Sequence, residues 1–366
     1  MTDRVDVVVV GAGGMGAATA WQLAKRGRSV VLIEQFEHLH RWGSSHGQTR
    51  IFRFAYRDPR YTELAQLSLP LWRELEADSG AVLLEQNGQL DHGSPGAVEE
   101  VVASLRAHHF AVEVLTPDAA HERWPSMNFD TTVAFSPDGG RVFADRTVDA
   151  AVSSARRFGA EFHERTPVEQ IEVHGDGARV HAGGRSWDAG CVVVAAGAWL
   201  AGLVGDLVEL PTLTITHQQP VHFAIRFGYS FPSYIHHQDT GRALNFAAYG
   251  LESPGEGVKL GLEGTVRPVD LARRSLEPDP AVTREAQEYA ERWLPGADPS
   301  QVSAVTCLFT ETVDGHFVID RAGPVVVCSP CSGHGFKFVP AIGAITADLA
   351  MGLDHGRKFW RLPSSS

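Results

Sequence analysis

The sequence predicts a protein that mixes α/β and α+β architecture, with two domains whose segments interleave along the chain. Three observations lead there. The chain opens on an apolar run, Val5 to Val10, that meets a glycine turn and then a small-residue helix. Its middle, residues 211 to 265, alternates like an antiparallel sheet. Its end returns to short apolar strands and a helix rich in alanine and isoleucine. Such an order fits a domain assembled from discontinuous segments, with β-rich inserts roofing it. The expected division gives residues 1–80, 142–210 and 305–366 to a Rossmann-like cofactor domain, and 81–141 and 211–304 to a substrate domain.

Each element has its own signal. Gly11, Gly13 and Gly16 fit G-x-G-x-x-G. These glycines serve a tight turn, close backbone approach to a pyrophosphate, and close helix–strand packing. The helix that follows offers free N–H groups and partial positive charge to an anion. A second strand, Ser29 to Ile33, ends at Glu34, 23 positions after Gly11, where a carboxylate would accept hydrogen bonds from a ribose. A polar segment from His38 to Gly47 turns at Gly43-Ser44-Ser45, and Arg50 and Arg53 follow three apart. Thr62 to Glu76 reads as a helix with Leu64, Leu67, Leu71 and Leu75 on one face, kinked or irregular at Pro70. Ala81 to Gly93 is strand-like, Ala97 to His108 helical, and Val112 to Leu115 a strand. After a turn at Ser136 to Gly140, a helix from Asp145 to Phe158 stops at Gly159. A second apolar run, Gly190 to Gly197, ends in small residues that would let backbone approach the same dinucleotide.

In the β-rich middle, turns fall at Asp239-Thr240-Gly241 and Ser253-Pro254-Gly255. Thr283 to Leu294 is a helix stopped by Pro295-Gly296. Ala304 to Thr310, Phe317 to Asp320 and Pro324 to Cys328 read as strands, and Pro340 to Met351 as the last helix. Ser364 to Ser366 should fray.

Composition narrows the function classes. A chain of 366 residues with 43% hydrophobic and 21% charged residues can bury a sizeable core. A formal net charge of −12 argues against nucleic acid and anionic membranes as partners, though not against a small anionic ligand in a local positive pocket. Four cysteines in this length suggest no disulfide framework, and no apolar run is long enough for a signal core or a membrane span. A cytoplasmic protein is expected.

Several residues stand out chemically. Lys259, in Val258-Lys259-Leu260-Gly261, points to solvent on alternation alone, or is buried for a reason. Cys307 lies in an apolar strand and is either a small buried hydrophobe or a functional thiol. In Ser332-Gly333-His334-Gly335-Phe336-Lys337-Phe338, backbone N–H groups at Gly333 and Gly335 would cradle an anionic ring edge that Lys337 neutralises; the plainer alternative is a turn with a solvated lysine. Cys328-x-x-Cys331, with His334 nearby, lacks the second pair that a zinc site needs, so free thiols and no metal are expected.

Together these segments resemble the monomeric sarcosine oxidase and N-methyltryptophan oxidase family, amine oxidases with covalently bound FAD. The resemblance runs nearly end to end and is densest at Val5 to Tyr61, Ser136 to Asp145, Val192 to Trp199, Tyr249 to Gly261, Ala304 to Asp320 and Ser332 to Phe338. It implies FAD joined to Cys307 by a thioether, with Thr49 near the cofactor and His46 and Arg50 beside the flavin ring. It implies that Lys259 holds a water at the flavin and promotes reaction with O2. Arg53 and Lys337 match the pair that grips the substrate carboxylate, and Tyr249 an aromatic over the substrate. An arginine fork suits a carboxylate, and a cation near the flavin favours the anion formed on the way to hydrogen peroxide. Two positions depart from the family's sarcosine oxidases: Glu263 replaces a histidine four residues after the lysine, and Phe309 a tyrosine two after the cysteine. Both family residues border the substrate cavity. The expected activity is oxidation of a secondary amine or amino acid, N-methyl or cyclic, by a monomer with FAD and O2. The alternatives are oxidation of a primary amino acid or a larger biosynthetic amine, and a non-oxidase dinucleotide-binding protein.

Overall fold

The computed structural model describes residues 3–238, 246–263 and 267–353. The valine run Asp3–Val10 pairs in parallel with Arg185–Val194 on one side and Val30–Ile33 on the other. Val7 to Val10 are buried, as a parallel strand covered on both faces requires. The sheet runs Val168–His174, Gly177–Ala182, Arg185–Val194, Asp3–Val10, Val30–Ile33, Glu161–His163; Val325–Ser329 joins the far half of Arg185–Val194 and carries Val318–Ala322. Helix Gly14–Lys25 packs between helices Ala144–Arg157 and Val339–Ala350. Small residues permit this: a Cβ added at Gly343 would lie 2.7 Å from Ala18.

A second eight-stranded sheet runs Ala297–Ala304, Val221–Ile225, Gly257–Leu262, Phe246–Ser253, Ser233–His237, Gln89–Gly93, Val133–Ser136, Glu113–Leu115. It is antiparallel except where Ser233–His237 pairs in parallel with Gln89–Gly93. One face carries Leu90, Phe223, Tyr234, Val258 and Leu260, which share a core with Ala286 and Ala290 of helix Pro280–Trp293. The opposite face carries Ile235, Tyr249, Leu251 and Lys259 and forms a cavity roof. Two three-stranded sheets accompany the large ones: Thr49–Phe52 with Gly140–Phe143 and Leu84–Glu85, and Leu213–Gln218 with Cys307–Thr312 and Arg267–Pro268.

Some elements differ from the sequence reading. The helix expected from Thr62 begins at Pro59, capped by Asp58, and continues through Pro70 to Ser79. Proline suits a first helical turn, where its missing N–H costs nothing. The strand expected at 304–310 is two strands, broken at Val305 and Thr306, and they enter different sheets. Helix Pro117–Arg123, capped by Thr116, has too short an apolar period to be seen in sequence. The turn at 239–241 and the tail at 364–366 lie outside the described residues. Among the described residues, no helix is long and apolar enough to cross a membrane.

Candidate active site

A cavity of about 500 Å³ runs from the glycine turn to the roof of the second sheet. At its first end Gly11 has φ +96°, and its N–H donates to the Ile33 carbonyl at 2.7 Å. A Cβ at Gly16 would lie 1.8 Å from the Gly11 carbonyl oxygen, so only glycine lets the helix seat on the turn. Gly13, Gly14 and Met15 bring the helix N-terminus to the cavity wall, and the Ser45 hydroxyl accepts from the Gly14 N–H at 3.0 Å. Glu34 is buried; its carboxylate accepts from the Ala12 and Phe36 N–H groups at 2.9 and 3.0 Å, with the His40 ring 3.6 Å away. Burial pushes its pKa up, but His40 and the two amides outweigh that and hold it below the ordinary carboxylate range.

Further along, the segment before and within strand Thr49–Phe52 is tied by Arg50, which donates to the carbonyls of Thr49, Ser44 and His46 at 2.8 to 2.9 Å. The Ser44 hydroxyl donates to the Leu308 carbonyl, joining this segment to the strand of Cys307. His46 is buried, and its Nε2 has no hydrogen-bond partner. Burial, then Arg50, Arg274 and Arg41, push its pKa to about 3, which leaves a neutral ring. Lys259 is 4% exposed and donates to the Thr49 carbonyl at 2.9 Å. Burial and then Arg50 lower its pKa to about 7, against the pull of Glu256, Cys307 and Asp145. Cys307 is buried on the cavity wall as a free thiol. Burial raises its pKa, and Arg50 and Lys259 work in the other direction.

The third cluster surrounds Tyr56. Arg53 places its guanidinium 4.3 Å from the Tyr56 ring centre and donates to the Ala55 carbonyl at 2.9 Å. The Lys337 ammonium lies 5.5 Å from the same ring and donates to the His334 carbonyl at 2.6 Å. Lys337 is buried, and burial followed by Arg53 holds its pKa well below the ordinary lysine range. Helix Pro59–Ser79 fixes its backbone: Trp72 Nε1 and the Ser68 hydroxyl both donate to the Lys337 carbonyl. Gly333 has φ +76°, and a Cβ at Gly335 would lie 1.7 Å from the Pro330 carbonyl oxygen. Tyr249 lies across Gly261 on the neighbouring strand, where a Cβ would be 2.3 Å from the ring. Phe309 completes this part of the wall.

Residues 6–349 match the model of the FAD dependent oxidoreductase family. The chain belongs to that family. This FAD-dependent oxidoreductase is 34% identical to a monomeric sarcosine oxidase of Streptomyces avermitilis, over 96% of this chain and 94% of the relative. It is 31% identical to that of Bacillus sp. (strain B-0618), over 96% and 93%. It is 28% identical to an N-methyl-L-tryptophan oxidase of Yersinia pestis, over 94% of both. Among solved structures it is similar to NikD, an amino acid oxidase essential for nikkomycin biosynthesis, with a TM-score of 0.87, 27% identity, and coverage of 99% of this chain and 98% of that one.

The oxidoreductase has features that fit FAD. Its cavity is long, its glycine turn leaves no room for side chains, and an unpartnered imidazole nitrogen of buried His46 lies on the wall. Gly11, Gly13, Glu34, His46, Thr49, Arg50, Arg53, Tyr249, Lys259, Cys307, Phe309, Gly333, Gly335 and Lys337 all border this one cavity. Gly16 lies behind the turn, and Glu263 is buried just past strand Gly257–Leu262, outside the wall.

Two expectations are revised. Lys259 does not point to solvent, because its sheet has a helix on one face and the cavity on the other. In the Ser332–Phe338 motif, the His334 and Gly335 N–H groups both donate to the Cys331 carbonyl, so they close the turn. All four cysteines are free, and no metal-holding cluster exists among the described residues. No sequence signal marked Tyr56, or Asp145, whose carboxylate accepts from the Gly47 N–H at 2.8 Å on the wall. Ser45 was marked only by the turn that contains it.

Proposed function

We propose that this FAD-dependent oxidoreductase oxidises a secondary amino acid, N-methyl or cyclic, to an imine, and passes the electrons to O2 to form hydrogen peroxide. One observation carries the reading: a single cavity joins a dinucleotide-type turn to a buried thiol and three cations of distinct setting, Arg53, Lys337 and Lys259. The curated relatives named as sarcosine and N-methyl-L-tryptophan oxidases support it.

Bound FAD supplies the hydride acceptor. Gly11, Gly13 and Gly16 would admit its pyrophosphate to the helix N-terminus, and Glu34 would face its ribose. Cys307 would hold the flavin through a thioether, with His46, Thr49, Arg50, Gly333, Gly335 and Lys337 around the ring. Arg53 and Lys337 grip the substrate carboxylate, the arginine as a fork and the lysine as a point charge. Tyr249 and Phe309 close over the substrate and exclude water. The neutral His46 ring can donate a hydrogen bond without adding charge. Lys259, poised to titrate near pH 7, holds a water and offers a positive charge where oxygen is reduced. The imine of an acyclic N-methyl substrate hydrolyses to formaldehyde and the primary amine.

A larger or primary amine is the second reading. Phe309, which presents an apolar edge, and the similarity to NikD favour it. Glu263 would act on such a substrate from behind the wall. We further propose that segments 1–80, 142–210 and 305–366 form the FAD domain and 81–141 and 211–304 the roof, in a cytoplasmic monomer. The memberships of the two eight-stranded sheets support that division, and the two three-stranded sheets join its halves.

The test is a panel of N-methyl, cyclic and primary amino acids given to the purified holoenzyme, with oxygen uptake and peroxide measured together. Stoichiometric peroxide with a secondary amine is expected. Turnover only with an added artificial electron acceptor would reject the oxidase reading.

A further inference from the structure

Behind Arg53, outside the cavity wall, lies an acid that the proposed chemistry does not use. Asp91 is 1% exposed, on the cavity-facing side of strand Gln89–Gly93, paired with Ile235 of the cavity wall. Its carboxylate accepts from Gln89 Nε2 at 2.7 Å and faces His237 Nε2 at 2.7 Å. Arg53 Nη1 lies 3.9 Å from Asp91 Oδ1. That separation is too long for a hydrogen bond. Arg53 is therefore anchored by the Ala55 carbonyl and the Tyr56 ring, and Asp91 acts on it through charge.

The placement is unusual for a pocket built to hold an acid. A buried carboxylate must be offset by a facing cation or by hydrogen bonds. Here Gln89 and His237 supply the hydrogen bonds and hold the carboxylate in place, while the cation it faces is the arginine that would grip the substrate. Two carboxylates on opposite sides of one guanidinium share its charge and repel each other through it.

We infer that Asp91, held by Gln89 and His237, is a positioning residue that tempers the positive charge Arg53 presents to the substrate carboxylate. The inference rests on the reading that Arg53 grips that carboxylate. Its consequence is looser binding of acids. An amino-acid product carries the same carboxylate as its substrate, so a tempered grip also favours release.

The experiment titrates holoenzyme with benzoate and, separately, with benzamide, a neutral ligand of the same shape, and follows flavin absorption. In Asp91→Asn the benzoate Kd should fall about fivefold or more, because a facing charge is removed. The benzamide Kd should stay within about twofold of wild type, since no net charge on that ligand feels the change. The pair Asp91→Leu with His237→Phe fills the same buried space with apolar groups, leaves Gln89 Nε2 its bond to the Leu90 carbonyl, and should tighten benzoate to the same degree. A benzoate-to-benzamide ratio unchanged in whichever of these variants folds, or a parallel loss of both ligands, overturns the inference. Arg53→Gln separates the underlying reading: if it leaves benzoate affinity intact, Arg53 is not the grip. If it weakens benzoate while Asp91→Asn changes nothing, only the role of Asp91 is wrong.

Discussion

Lys259 offers the sharpest test, because the structure gives it a titration and a direction. Burial and Arg50 take its pKa from 10.5 to about 7. That difference corresponds to on the order of 5 kcal/mol of disfavour for the buried ammonium. Its folded pKa is depressed, so the cation is present below pH 7 and lost above it. The ammonium fraction is about 90% at pH 6 and about 10% at pH 8. If the cation accelerates oxygen reduction, the second-order rate of reoxidation of the reduced enzyme should fall about ninefold across that interval. Stopped-flow mixing with oxygenated buffer, after anaerobic reduction by substrate, measures this directly. Lys259→Met should be slow and flat with pH, yet still be reduced by substrate. Stability gives an independent check. Between about pH 7 and 10.5 the unfolded chain carries a proton that the folded chain lacks, so the lysine's contribution makes wild type more stable as pH rises through that window, and the variant should lose this slope. A wild-type reoxidation rate that is level from pH 6 to 8, or equal losses in both half-reactions of Lys259→Met, would refute the assignment.

Other outcomes follow from the same geometry. Acid precipitation should leave yellow colour in the wild-type pellet and none in the Cys307→Ala pellet; colour released to the wild-type supernatant would reject the thioether. Gly16→Ala puts a Cβ 1.8 Å from the Gly11 carbonyl oxygen and should cost at least about 1–3 kcal/mol, read as a lower melting midpoint and reduced FAD content. Glu34 meets the Ala12 and Phe36 amides with its two different oxygens, so Glu34→Gln keeps an acceptor for one and sets an NH2 against the other, at about 1–3 kcal/mol; FAD affinity titrated on Cys307→Ala apoprotein, where no thioether forms, should drop. Lys337, held below the ordinary lysine range by burial and Arg53, should be shifted back toward its charged form when benzoate binds, read as proton uptake with an indicator dye somewhere across a pH series and absent in Lys337→Met.

The parts of the fold that were legible in sequence have local causes. Val7 to Val10 read as an apolar strand because a parallel strand covered on both faces leaves a continuous hydrophobic run, and the glycine turn was visible because its steric demands fall within six residues. The helix continues through Pro70 because packing outweighs one missing hydrogen bond: Leu64, Ala65, Ser68, Trp72 and Leu75 are buried along it. The split at Val305 and Thr306 was hidden because a switch between sheets depends on distant partners; the Val305 N–H donates to the Pro220 carbonyl. Alternation failed at Lys259 because it assumes one wet face, and this sheet has none there.

The site divides in the same way. Motifs carried by one segment were visible, whereas pairs such as Lys259 with the Thr49 carbonyl, 210 positions apart, were not. That division explains how a chain with a net charge of −12 assembles a positive cavity. The cations sit on three different segments, Arg50 and Arg53 on one and Lys259 and Lys337 on two more, and the acids that influence them arrive from others. Glu256 and Asp145 favour the charged form of Lys259, and Asp91 faces Arg53. Lys337 instead rests against the His334 carbonyl and two aromatic rings, with burial and Arg53 both acting against its charge. It is therefore the cation most able to respond to an incoming carboxylate. In this arrangement the Arg53 guanidinium faces Asp91, while burial and Arg53 disfavour the Lys337 ammonium. An incoming carboxylate acts against that disfavour, so binding an acid and charging Lys337 reinforce each other.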